Sequence, residues 1–176
     1  MKKTAIRYGL YSGAILMVTV CLNYAINANR HNYRQEEIGG YLSIIISMVF
    51  VYLGIRQYRD KESGGAITYV QALKVGLLII LLPSILFGVF DIIYVKLLDP
   101  GFMERYYNQS IEQMKATLPP DVLNAKLKEM EQGKAMFGNV FFQFMIMALT
   151  VFLIGVAATA ISALALSRKP KLDIKQ

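Results

Sequence analysis

Tryptophan is absent from this chain, and cysteine and histidine occur once each, as Cys21 and His31. A single cysteine excludes an intrachain disulfide, and one cysteine with one histidine falls short of the three or four ligands that a zinc site requires. Charge is scarce as well. Asp, Glu, Lys and Arg make up 18% of the residues against 55% apolar, whereas an ordinary soluble domain carries about 25% charged and about 45–50% apolar residues. Gly64-Gly65 lacks the Gly-Lys-Ser/Thr continuation of a phosphate-binding loop. No Ser or Cys has a histidine suitably placed as its base, and Asp91 is the only acid in the long apolar runs, so the carboxylate pair of an intramembrane aspartyl protease is missing. These gaps argue against an enzyme, and no catalytic, cofactor-binding or metal-binding residue is expected.

What is present is apolar sequence in long runs. Mean hydropathy is +0.42, and four stretches, 8–28, 38–55, 69–98 and 137–166, meet or approach the roughly 20 apolar residues needed to cross a bilayer as a helix. The expected fold is all-α: one polytopic membrane domain of four transmembrane helices, with a short water-facing helical segment at 99–136 and a basic tail at 167–176. The net charge of +7 sits on the flanks of these runs and forms no basic patch with interleaved aromatics, so it points to anionic lipid headgroups as partner and not to nucleic acid.

Taken in order, the first run follows Lys2, Lys3 and Arg7 and carries Gly9 and Gly13 four apart, a spacing that permits close helix approach within the chain or across a homo-oligomer. The positive start resembles a cleaved signal, but Ile26 suits a cleavage site poorly and the run is expected to stay as a helix. Cys21 is expected to pack inside the bundle, and Asn23 needs a hydrogen-bond partner. The polar connection 29–37 is read as a loop that Gly39-Gly40 ends, with His31 solvated and a short second helix following. Ser43 and Ser47, four apart, face a neighbouring helix.

The second run stops on Arg56, Arg59, Asp60 and Lys61, turns at Gly64-Gly65, and resumes after Lys74. Cations near the bilayer centre cost about 2.5–3.5 kcal/mol each on insertion scales, so this reads as a membrane hairpin bend that keeps its charges on one side. Asp60 is placed to pair with Arg56 or Lys74. Thr68 and Gln71 have the spacing of a capping box that opens the third helix.

The bend also carries a family resemblance. Gly54, Arg56, Tyr58, Arg59, Asp60, Gly64, Gly65, Ala72, Lys74 and Gly76 resemble the signature of the bacterial family known as domain of unknown function 4199. Asp99, Pro100, Phe102 and Tyr106 extend the likeness more loosely. The resemblance implies a small four-helix membrane protein without an assigned activity, and it supplies no catalytic residues.

The third run holds Pro83, Gly88 and Asp91, residues that bend a helix or expose its backbone to a neighbour. At about 1.5 Å per residue from Val75, Asp91 lies roughly 24 Å along a hydrocarbon layer of about 30 Å. There Lys96, Arg30 or Arg34 can pair with it, and it is also the one candidate for a transport or ligand role. Asp99-Pro100-Gly101 ends the helix. Phe102, Tyr106, Ile111, Met114 and Leu118, then Val122, Leu123, Leu127 and Met130 after Pro119-Pro120, read as two amphipathic helices. In the fourth run Gly155, Thr159 and Ala163 form a packing stripe.

With four spans the termini and the bend share one side, which then holds 11 Lys and Arg against 8 on the other. The positive-inside bias places both termini in the cytoplasm of a bacterium, with the chain in its inner membrane. The expected role is a non-catalytic envelope scaffold or accessory subunit that binds envelope proteins or lipids. The alternative is a small transporter or lipid-handling subunit that uses Asp91.

Overall fold

The computed structural model describes residues 1–27 and 33–167, except for the side chains at 33–34 and 135–137. Arg30, His31 and the tail from 168 onward lie outside the described residues. Among the described residues six helices follow one another: α1 (Lys2–Asn27), α2 (Tyr33–Lys61), α3 (Tyr69–Ile93, continued by a π-helical turn Tyr94–Leu98), α4 (Phe102–Thr117), α5 (Pro120–Phe137) and α6 (Val140–Leu166). No strand occurs among the described residues. Four helices among the described residues are long and apolar enough to cross a membrane, namely Lys2–Asn27, Gln35–Lys61, Tyr69–Leu98 and Val140–Leu166. Their outward faces stay apolar: Ile6, Val18, Leu22 and Ile26 of α1 and Ile45 and Val49 of α2 are all more than half exposed. Continuous apolar surface of this kind marks contact with lipid or protein and not with water.

Three expectations are corrected. The second helix is not short; α2 has 29 residues, because helical hydrogen bonding continues past both ends of the apolar run into polar sequence. The loop accordingly does not reach Gly39-Gly40, which lie inside α2. Gly39 is small for a packing reason, since a Cβ there would collide with the Asn23 side chain, whose amide donates to the Glu36 carbonyl at 2.9 Å. Cys21 is exposed and does not pack inside.

The chain forms two compact units, Met1–Phe87 with Ala148–Gln176, and Gly88–Met147. In the first, α1 and α2 run antiparallel: the Ser12 hydroxyl donates to the Ser47 carbonyl at 2.9 Å, Tyr11 meets Phe50 with ring centroids 6.1 Å apart, and a Cβ on Gly54 would lie 3.0 Å from that of Tyr8. α1 runs parallel to α3, with Gly9 against Ile79 and Leu82 and Gly13 against Pro83 and Leu86. α6 runs antiparallel to α3, with Gly155 against Ile80 and Thr159 against Gly76. The glycine pair of α1 and the Gly155-Thr159 stripe are therefore intrachain packing surfaces. These directions bring the amino end of α1, the bend and the carboxyl end of α6 to one end of this unit.

In the second unit Gly88 lies under Phe144, 2.8 Å from its would-be Cβ. Aromatic rings then continue from Phe90 to Tyr94, Phe102, Tyr106 and Tyr107 at centroid spacings of 5.4–6.3 Å. Asp99, just past the π-helical turn, is held by Arg105 at 2.5 and 2.6 Å. α4 and α5 form the expected pair of amphipathic helices, but Tyr107 and not Tyr106 is the buried tyrosine of α4. Lys134 of α5 sits over its ring at 5.8 Å. Burial, with a smaller contribution from Tyr106, pushes the Tyr107 phenol above its ordinary range.

Candidate functional site

The bend is built by the local sequence. Arg59 contacts the Asp60 carboxylate at 2.7 Å, and Arg56, one turn back, lies 3.7 Å from it. The Ser63 amide then reaches back to the Tyr58 carbonyl at 3.0 Å and the Gly65 amide to that of Arg59 at 2.9 Å. That path requires positive φ at Gly64 (+64°) and Gly65 (+84°), backbone angles that glycine adopts without a Cβ penalty. The Ser63 hydroxyl closes the loop on the Ala66 carbonyl at 2.6 Å, and Ile67 anchors it at 1% exposure. The capping box forms: the Thr68 amide donates to Gln71 Oε1 at 3.1 Å and the Gln71 amide to Thr68 Oγ1 at 3.3 Å. Lys74 is exposed and makes no ion pair among the described residues.

Glu62 is the bend residue that sequence reasoning missed. Its carboxylate accepts from the Thr4 hydroxyl and from the amino-terminal ammonium of α1. These two hydrogen bonds, the ammonium's first, together with the charges of the ammonium and Lys3, hold its pKa below the ordinary 4.5. The partners are 58 and 61 residues away in sequence, so no local pattern announces them.

Asp91 is half-buried, and Gln143 Nε2 donates to its Oδ2 at 2.7 Å. Gln143 is 2% exposed. The expected Lys96 partner is not the one found: Lys96 is exposed and forms no ion pair with Asp91. Arg30 and the Arg34 side chain lie outside the described residues. Gln143 is legible in hindsight as the single glutamine in the run 137–166, since an amide in an apolar helix must find a partner. Among the described residues no three His, Cys, Asp or Glu side chains gather as a metal site would require.

The bend and the Asp91–Gln143 pair thus belong to a protein whose described residues are helical and include four helices long and apolar enough to cross a membrane, and five of the residues that carry the resemblance serve the fold. Gly54 and Gly76 allow close helix approach, Gly64 and Gly65 make the turn, and Ala72 is fully buried. The family profile described as Protein of unknown function (DUF4199) matches residues 7–168, and the chain belongs to that family. Neither the curated proteins nor the solved structures contain a match to it.

Proposed function

We propose that this protein resides in a bacterial inner membrane and works by binding envelope proteins or lipids, without catalysing a reaction. The observation that carries this reading is how the polar groups of the long apolar helices are used. Ser12, Ser43, Ser47, Ser84 and Thr19 donate to helix carbonyls, and Asp91 is matched to an amide, while the outward faces are apolar. Eleven Lys and Arg on the side of the termini and bend, against eight, favour cytoplasmic termini, with α4 and α5 on the periplasmic side.

A second reading, a transporter or lipid-handling subunit, draws support from the neutral partner of Asp91. A carboxylate paired with an amide has no ion-pair partner among the described residues, which leaves that place to a transported cation or headgroup. Crosslinked affinity purification from native membranes, with the crosslinker at Asn124, tests the first reading by the recovery of a stoichiometric partner. Solute flux in proteoliposomes that is abolished by Asp91→Asn would overturn it in favour of the second.

A further inference from the structure

A basic surface is assembled from three separated pieces of sequence. The α1–α2 pairing brings Lys2, Lys3 and Arg7 to the end of α2 that carries Arg56, Arg59 and Lys61, and Lys74 stands one turn into α3. Only two acids of the bend share this end, and both are engaged inside the protein. Asp60 is held by Arg56 and Arg59, and Glu62 by Thr4 and the amino-terminal ammonium. Lys2, Arg7, Lys61 and Lys74 are exposed and form no ion pair among the described residues.

Directly beside these cations the surface is apolar and aromatic. Leu10 is 52%, Leu81 45%, Leu78 39% and Tyr52 38% exposed, and each lies on the membrane side of the cations of its own helix. A ligand that fits must therefore present anionic charge immediately beyond an apolar body. A soluble polyanion has the charge without the body, and a zwitterionic lipid has the body without the net charge.

We propose that this end of the first unit is a composite binding site for the headgroup of an anionic phospholipid, with Lys2, Arg7 and Lys74 as its cations and Leu10, Leu78 and Leu81, further along α1 and α3, against the acyl chains. The inference rests on the membrane reading above and adds to it a preferred lipid class at a defined place. Cations at an anionic leaflet each add to the attraction, and the effect fades with salt.

The test uses the full-length protein in detergent, after a carbonate wash of its membranes has shown that it is retained there. Release by that wash would sink the membrane reading itself, before any lipid is added. Native mass spectrometry then follows the retention of phosphatidylglycerol and of phosphatidylcholine. The parent should keep phosphatidylglycerol preferentially, and the triple variant K2Q/R7Q/K74Q should keep it about tenfold less or weaker still, whereas K96Q/K115Q/K128Q, which removes the same charge elsewhere, should match the parent. The parent alone supplies a second measurement should the triple variant fold poorly: added salt should erase the preference, and inorganic phosphate at equal ionic strength should compete no better than chloride. Equal retention of both lipids by the parent, equal losses in the two triple variants, or selective displacement by inorganic phosphate would each overturn the proposal.

Discussion

The backbone of Gly9 lies against the carbonyl of Ile79, so that a Cβ on Gly9 would stand 3.0 Å from the carbonyl oxygen. Ile79 is four residues before Pro83, which lies inside α3 and has no amide to offer that carbonyl. The helix loses one hydrogen bond at this point, and the bare backbone of α1 covers the acceptor that is left over. Proline in α3 and glycine in α1 are thus two halves of one contact.

The first prediction follows from that contact. Gly9→Ala should destabilise the detergent-solubilised protein by about 1–3 kcal/mol, the usual cost of overpacking, because the methyl group meets backbone and cannot rotate away. Gly40→Ala is the control: it too is helical, but nothing lies within 4 Å of its Cβ position. That change should be neutral or stabilising by up to about 1 kcal/mol. Thermal melts of the two variants side by side check this, and equal losses would contradict it.

Asp91 and Gln143 should behave as a coupled pair. Gln143→Leu leaves the carboxylate without its donor and should cost about 1–3 kcal/mol, while Asp91→Asn, which keeps a hydrogen bond available, should cost less. Adding Asp91→Leu to Gln143→Leu should recover much of the loss. A double-mutant cycle measured by melting in detergent reads the coupling directly; additive losses would mean that the 2.7 Å contact contributes nothing.

Glu62 predicts an acid dependence. Its folded-state pKa lies below the ordinary value of 4.5, so its contribution is fully present above the unfolded value and is lost as pH falls through the lowered one. The parent should melt above Glu62→Gln at neutral pH, and the gap should close on acidification below about pH 4. A gap that widened toward acid would contradict the assignment.

Orientation is checked by labelling. In a Cys21→Ser background, which removes an exposed thiol, cysteines at Ser63 and Lys171 should resist an impermeant reagent in intact spheroplasts, and one at Asn124 should react. The reverse pattern would invert the topology.

The elements that the sequence made readable are those with local causes. The capping box at Thr68 and Gln71, the glycine turn, the break at Pro119-Pro120 and the four apolar runs each depend on neighbours within a few residues, and each is found. The start of α2 was misread because polar residues and two glycines look like a loop, whereas Gly39 is small to admit Asn23 from another helix. The partners of Glu62 and Asp91 stayed hidden for the same reason: which residues meet across helices depends on rotation and register, and neither is written in a single run.

The covering of α3 by α6 has a consequence for synthesis. Gly76 and Ile80 meet Thr159 and Gly155, residues translated some 75–83 positions later. While α4 and α5 are still emerging, that face of α3 is bare, and a ribosome that stalls in this interval leaves an intermediate with an open groove on α3. Chains truncated before Val140 should accordingly be degraded in cells even though every helix up to α5 has been made.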